Sequence, residues 1–197
     1  MNRHPPRLRP INAKLKAKML TRETILTAFA RLSEELGRRG QIGELNVVGG
    51  TAMVLAFNAR AATKDVDAIF EPAADVRAAA DIVGQELDLP KDWLNDAVKG
   101  FMSPAGDFLP IPSIDLPYLR VQAPTPEYML AMKVLAGRTS VGNDRGDAAD
   151  IAFLIRLLRL PNATAVMDIV SRYYDPSRVL PRSLYLVDEL VEWIDSE

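Results

Sequence analysis

The chain has 197 residues, with 24 Lys and Arg against 26 Asp and Glu, a single His and no Cys. This length predicts one domain, with or without an appendage, and is sufficient for a core that needs no disulfide. The lack of cysteine excludes a thiolate nucleophile, an iron–sulfur centre and Cys-ligated zinc, and one histidine, His4, argues against a Ser-His-Asp triad. We therefore expect chemistry by carboxylates, Lys, Arg, hydroxyls or backbone amides, which indicates magnesium and phosphates.

Charge is unevenly distributed along the chain, although the formal net charge is only -2. The first 22 residues carry seven basic side chains and no acidic one, whereas the residues after Arg182 carry five acidic side chains and no basic one. A basic arm can bind a phosphate backbone, and a solvated terminus is an equal alternative. Because no apolar run suits a transmembrane helix and none follows the basic start as in a secretory signal, we expect a cytoplasmic protein.

Apolar periodicity and turn residues predict alternating helices and strands in the first part of the chain. In chain order they predict a helix over residues 21–38, a strand over 44–48, a helix over 51–58, a strand over 65–70, a helix over 73–87 and a short helix over 93–98.

The second part of the chain changes character near residue 124. Residues 101–117 predict a loop with one or two strands, 119–122 a strand, and 125–137, 144–158, 163–173 and 183–195 helices, the first of them with Thr125 as N-cap. This order predicts an α+β fold with a helical C-terminal half. We divide the chain into a basic arm over 1–20, an α/β core over 21–124 and a helical region over 125–197.

The segment most informative about chemistry covers residues 48–70. Its predicted strand ends at Gly49 and Gly50, and a helix begins directly afterwards. Glycines let the backbone approach a ligand closely, and the first turn of a helix offers unpaired N–H groups and partial positive charge. We therefore predict a phosphate-binding turn at Gly49 and Gly50, to which Thr51 adds a hydroxyl.

Two aspartates follow on the next predicted strand. Strand alternation places Asp65 and Asp67 on one face, roughly 6–7 Å apart. Neighbouring carboxylates repel each other unless a cation lies between them, and their oxygens suit Mg²⁺ or Mn²⁺, which bridges carboxylates and substrate phosphates. Separately, the glycine pair indicates a packing turn and the aspartates a solvated pair; their combination is the informative pattern.

The combination resembles the nucleotidyltransferase superfamily with the DNA polymerase β-like fold, which pairs a Gly-Gly or Gly-Ser turn and helix with Asp-x-Asp or Asp-x-Glu on a strand. The wider stretch, about residues 45–158, resembles AbiEii-like nucleotidyltransferase toxins in VGGTAMVLAF, ARAATKDVDAIF, DWLNDAVKGF, PEYMLAMKVLAGR and DRGDAADIAFL. The resemblance implies a mixed β-sheet flanked by helices and transfer of a nucleoside monophosphate from a nucleoside triphosphate (NTP). It also implies a toxin–antitoxin role, with the 3′ end of tRNA as acceptor and a cognate antitoxin as partner.

The resemblance also implies roles for residues later in the chain. It gives metal binding to Asp65 and Asp67, matches Lys133 to a lysine that contacts the NTP, and matches Asp147 or Asp150 to an aspartate that completes the site, with Asp147 slightly preferred. Lys133 is also notable in itself, because it is the only basic residue in an otherwise apolar or small run after the start of its helix. A cation there either extends to the surface or meets an anion.

Several other polar residues have open assignments. Asp115, followed by Asp107, is the best match to a third metal carboxylate, and a turn aspartate is the alternative. Arg60 and Lys64 would neutralise triphosphate, receive the acceptor or remain solvent charges.

Residues 93–96 resemble a family motif. We interpret Trp93 as a packing residue, and Asn95 and Asp96 as caps of the following turn.

Two alternatives to tRNA modification remain open. Transfer of a nucleotide to a protein, such as AMP to Ser or Tyr, needs the same core. A catalytically inactive nucleotide-sensing or antitoxin-like binding module is the other, and the intact pair Asp65 and Asp67 argues against it. The expectation is therefore a Mg²⁺-dependent NTP:acceptor nucleotidyltransferase.

Overall fold

The computed structural model describes residues 19–137 and 146–196. Within them it contains a five-stranded mixed sheet and a two-stranded sheet, and only helices follow the last strand. The predicted α+β class with a helical C-terminal half is thus confirmed. The predicted basic arm lies outside the described residues except for its last two.

The described elements are, in chain order, β1 (Leu20–Thr21), α1 (Arg22–Arg38), β2 (Gly43–Val47), α2 (Gly49–Leu55), β3 (Ala62–Thr63), β4 (Val66–Glu71), α3 (Ala73–Glu86), β5 (Leu94–Asn95), a 3₁₀ helix (Ala97–Phe101), β6 (Phe108–Pro110), β7 (Leu119–Pro124), α4 (Pro126–Ala136), α5 (Gly146–Leu158), α6 (Ala163–Tyr173), a second 3₁₀ helix (Pro176–Arg178) and α7 (Pro181–Asp195).

One predicted element is wrong, and the other predicted helices and strands agree with the structure within three residues at each described end. Residues 144 and 145, where one helix was predicted to begin, lie outside the described residues. The helix expected over residues 93–98 is absent, because Leu94 and Asn95 form β5 and the 3₁₀ helix begins only at Ala97. The strands β1 and β3 were not predicted, since two residues are too short to show an alternation. The predicted N-cap is confirmed: the Thr125 hydroxyl accepts a hydrogen bond from the N–H of Tyr128.

Sheet topology determines which chain segments meet at the site. The strand order is β5-β4-β2-β7-β6, with β2 antiparallel to β4 and parallel to β7. Val47 pairs with Ala68, so the end of β2 and the beginning of β4 lie at the same edge of the sheet. The glycine turn that follows β2 therefore lies beside the aspartates that begin β4.

The sheet and the C-terminal helices share one hydrophobic core. Helix α4 lies at its centre, where it packs against β7, α5 and α6, and its residues from Tyr128 to Leu135 are all buried. A lysine in this helix is therefore carried into the interior. None of the helices in the described ranges is both long and apolar enough to span a membrane.

Candidate functional site

The glycine turn and the acidic strand are in direct contact. Gly49 has a φ of +59°, and a Cβ atom at this position would lie 3.1 Å from Oδ2 of Asp67. The N–H of Val48 donates to the carbonyl of Asp67 at 2.9 Å. A left-handed backbone and close approach both favour glycine here. Any other residue at position 49 would crowd the Asp67 carboxylate.

The next two residues of the turn contact the neighbouring strands. A Cβ atom on Gly50 would overlap the side chain of Thr63, so the absence of a side chain allows β3 to pack against α2. Thr51 is fully buried, and its hydroxyl donates to the carbonyl of Asp65 at 3.1 Å. This bond uses the one proton that the hydroxyl can donate, so Thr51 positions the residue before β4, and its contact with a nucleotide stays a prediction.

Asp65 and Asp67 line one open pocket of about 520 Å³. Asp65 immediately precedes β4, Asp67 is its second residue, and both are half-buried. The pocket is also lined by Lys64, Pro90, Lys91, Asp92 and Asn95.

The donor set of this pocket fits a magnesium ion that shares its ligands with a substrate. In the part of the chain that the structure describes, no group of three or more acidic or histidine side chains is arranged to hold a metal. Mg²⁺ commonly uses one or two carboxylates and takes its other ligands from water and substrate phosphates. Asp65 and Asp67 are the two carboxylates that would hold it.

Asp67 also lines a second and much smaller cavity, of about 70 Å³. The cavity is lined by Val48, Gly49, Asp67, Phe101, Met129, Met132, Lys133, Ala136 and Asp147. The predicted site residues Gly49, Asp67, Lys133 and Asp147 thus meet at one space, from α2, β4, α4 and α5 respectively. On this measure one water molecule needs about 10–15 Å³, so the cavity suits a small polar group and not a whole nucleotide.

Lys133 is held by both of the aspartates between which the sequence left a choice. Its Nζ lies 2.6 Å from Oδ1 of Asp147 and 2.7 Å from Oδ2 of Asp150. The two aspartates are three residues apart on α5 and therefore share a face of the helix. They differ in position: Asp147 lines the small cavity, whereas Asp150 is only 3% exposed and is not among the residues lining it.

Arg60 completes this ion network. Its Nε donates to Oδ1 of Asp150 at 2.6 Å and its NH2 donates to Oδ2 at 2.7 Å. The bidentate bond and Lys133 together compensate the buried carboxylate, which would otherwise be strongly unfavourable. Arg60 lies between α2 and β3, so the ion pair ties the region of the glycine turn to α5. The network contains two cations and two carboxylates.

Comparisons with known proteins found no match: no family model, no curated protein and no solved structure matches the chain. The resemblance to the nucleotidyltransferase superfamily therefore stays a prediction that the residues themselves carry.

Asp115 and Asp107 are not brought to the open pocket. Asp115 is exposed in the connection from β6 to β7, and this connection enters β7 at the edge of the sheet where β2 begins, away from Asp67. The carboxylate of Asp107 accepts a hydrogen bond from the hydroxyl of Tyr173 at 2.8 Å. The structure thus gives neither aspartate a place beside the acidic pair.

The sequence reasoning missed Lys91 and misassigned Asn95. Asn95 is the partner of Asp67 in the parallel register of β4 and β5, and both residues line the open pocket. Interpreting residues 93–96 as a strand instead of a helix would have placed Asn95 beside the acidic strand. Trp93 is a packing residue as predicted: it is buried, and its Nε1 donates to the carbonyl of Ala80 at 3.0 Å.

Proposed function

We propose that the chain is a nucleotidyltransferase, dependent on Mg²⁺ or Mn²⁺, that transfers a nucleoside monophosphate from an NTP to an acceptor and releases pyrophosphate. The observation that carries this proposal is the small cavity at which Gly49, Asp67, Lys133 and Asp147 meet. Four elements distant in sequence supply one carboxylate beside the open pocket, one buried cation and a backbone without a side chain. These three features suit the binding of a phosphate group next to a metal.

Each residue has a distinct part in the proposed reaction. Asp65 and Asp67 would hold the divalent cation, which would neutralise phosphate oxygens and stabilise the charge that develops during transfer. The ammonium of Lys133 has three N–H donors, of which two are directed at Asp147 and Asp150, so the third can donate to a phosphate oxygen in the cavity.

The remaining residues would prepare this arrangement. The missing side chain at Gly49 leaves room for phosphate beside Asp67. Asp150, fixed by Arg60, would orient the lysine, whereas Asp147 lines the cavity and would orient the lysine or the acceptor. Gly50 and Thr51 would act through the position of α2 and of the strand that carries the aspartates.

The acceptor that we propose is the 3′ end of tRNA, because the matched motifs resemble those of AbiEii-like toxins. Nucleotide transfer there would block aminoacylation and stop growth, and a cognate antitoxin would be the cytoplasmic protein partner. The seven basic side chains of the first 22 residues suit a phosphodiester backbone.

The test incubates the full chain with total tRNA, Mg²⁺ and each labelled NTP in turn. We expect label in RNA and release of pyrophosphate, both abolished by a chelator and by Asp67→Asn. The matched control is Asp115→Asn, which removes one carboxylate charge from an exposed loop away from the site and should leave transfer unchanged.

Three other results would decide against tRNA modification. Absence of label in RNA with every NTP, in the presence of Mg²⁺ or Mn²⁺, contradicts a tRNA acceptor. Label in a protein band instead would favour nucleotide transfer to Ser or Tyr. If the original chain transfers no nucleotide and Asp65→Ala leaves its growth inhibition unchanged, the chain is a binding module and not this enzyme.

A further inference from the structure

The open pocket beside Asp65 and Asp67 has basic side chains at its borders. Lys64 lies directly before the acidic strand, and Lys91 lies on the turn before β5; both are exposed and both line the pocket. No described residue forms an ion pair with Lys91. The pocket thus combines a pair of metal-type carboxylates with cations that reach into solvent.

The turn that carries Lys91 is anchored on both sides. Asp88 and Asp92 have positive φ angles of 49° and 58°, a conformation in which Asp is enriched among non-glycine residues. The N–H of Trp93 donates to the carbonyl of Pro90 at 3.0 Å, and the indole of Trp93 is itself buried and hydrogen-bonded. The Cα of Lys91 is therefore held in place beside the pocket by the core.

The size and charge of the pocket fit a polyanion once a metal is present. Its volume of about 520 Å³ is within the usual range of ligand pockets, about 300–1,000 Å³, whereas the cavity of about 70 Å³ is far below it. The lining carries three aspartates and two lysines, a formal net charge of -1. One divalent cation would change that sign.

Asp67 lines both the open pocket and the small cavity, and this position bears on the proposed transfer of the nucleotide at its α-phosphorus. The oxygen of the acceptor hydroxyl bonds to the α-phosphorus, its proton passes to a carboxylate or water, and the bond from that phosphorus to the pyrophosphate oxygen breaks. The attacking and leaving oxygens are roughly in line on opposite sides of the phosphorus. With the leaving group beside Lys133, the acceptor would approach from the open pocket.

We propose that the open pocket is the acceptor subsite and binds the sugar–phosphate backbone of an RNA next to its terminal hydroxyl, with Lys91 in contact with a phosphate. The inference rests on the proposed function and adds the place and the chemistry of the acceptor. An RNA end carries a phosphodiester next to its reactive hydroxyl, which the lysines can bind, whereas a Ser or Tyr hydroxyl of a protein carries none.

The test measures binding of a fluorescein-labelled RNA hairpin with a single-stranded CCA 3′ end to the full chain in Mg²⁺, without NTP, at several salt concentrations. One phosphate contact contributes about 0.7–0.9 to the slope of log affinity against log salt, so Lys91→Ala should lower the slope by that amount. The same slope predicts about a tenfold weaker affinity at 50 mM salt. The KM for NTP should stay unchanged.

Arg172→Ala is the matched control, because Arg172 is an exposed cation on α6 and does not line the pocket. This variant should keep the slope and affinity of the original chain. If Lys91→Ala behaves like Arg172→Ala while the original chain transfers nucleotide to RNA, the acceptor subsite is refuted and the proposed function stands. If Lys91→Ala lowers the slope but no variant transfers nucleotide, the RNA-binding pocket stands and the proposed function fails.

Discussion

The two sides of Asp67 are built in opposite ways. On the open side, half-buried carboxylates and exposed lysines line a pocket of about 520 Å³. On the side of the small cavity, Lys133 and Asp150 are buried, Arg60 and Asp147 are half-buried, and the four side chains are paired at 2.6 to 2.7 Å. A buried charge needs an opposite charge or hydrogen bonds to be stable, whereas a charge that faces solvent is stabilised by water and can exchange that water for a ligand. Substitutions on the open side should therefore affect mainly activity, and those in the ion network beside the small cavity should affect stability as well.

The largest expected effect is that of Asp150→Ala. This change removes the carboxylate that compensates both Arg60 and Lys133, and breaking a buried ion pair from one side lowers the free energy of unfolding by about 3–5 kcal/mol. Urea denaturation followed by circular dichroism measures it. The double variant with Arg60→Ala should be less destabilised than the sum of the two single variants. A loss under about 1 kcal/mol would contradict the matched-charge interpretation.

The second effect should appear on the open side, and mainly in activity. Asp67→Asn is expected to lower the rate of nucleotide transfer at least a hundredfold, about what removal of one transition-state-stabilising group costs. Because the side chain is half-buried and faces a pocket, the free energy of unfolding should fall less than it does for Asp150→Ala, whose carboxylate is buried. Steady-state kinetics and urea denaturation of the same preparation test both parts. A destabilisation as large as that of Asp150→Ala would remove the distinction between the two sides.

The third effect concerns the boundary between the sides, where Gly49 touches Asp67. Gly49→Ala should destabilise the chain by about 1–2 kcal/mol through its left-handed backbone, and should also displace the carboxylate. Gly40→Ala is the matched control, because Gly40 has a φ of +66° and no atom within 4 Å of a Cβ there. Both variants should lose similar stability, but only Gly49→Ala should lose nucleotide transfer. Equal rates of nucleotide transfer in the two variants would show that the contact with Asp67 is not needed for activity.

The two sides also differ in how far the sequence predicts them. The glycine turn and Asp67 are close in the chain, and they lie at the adjoining ends of the antiparallel strands β2 and β4. Residue spacing and strand alternation therefore suffice to place them together. Arg60 and Asp150 are 90 residues apart, and no local pattern shows that a polar residue in a loop will meet one on a late helix. Lys133 could be noticed as a cation in an apolar helix, but its partners followed only from the family resemblance.

One wrong prediction and one unpredicted contact on the open side have local causes. A strand of two residues carries no alternation, so Leu94 and Asn95 were predicted as helix and Asn95 was assigned to a turn cap. The hydroxyl of Thr51 is used inside the protein, a fact that depends on the exact approach of α2 to Asp65. The fold class was predictable because long amphipathic helices define it.

The smallest effect should come from Tyr174, which supports the wall of the small cavity. Its hydroxyl donates to the carbonyl of Phe101 at 2.6 Å, and Phe101 lines the small cavity. Burial raises the pKa of Tyr174, and the neighbouring Tyr128 raises this pKa further. Because the folded state favours the protonated phenol, this stability is fully present below the unfolded pKa of about 10 and is lost as pH rises towards the higher folded value.

Removing this phenol should therefore lower the stability at neutral pH and also weaken the dependence of stability on alkaline pH. Tyr174→Phe is expected to lose about 1 kcal/mol at neutral pH, the net contribution of one hydrogen bond. Above pH about 10 its stability should fall less steeply than that of the original chain, because the phenol that must ionise is gone. Urea denaturation between neutral and alkaline pH tests this. Tyr185→Phe, at an exposed position on α7, should leave the alkaline slope unchanged. An equal slope in all three chains would mean that the Phe101 wall is held by packing alone and not by the Tyr174 hydroxyl.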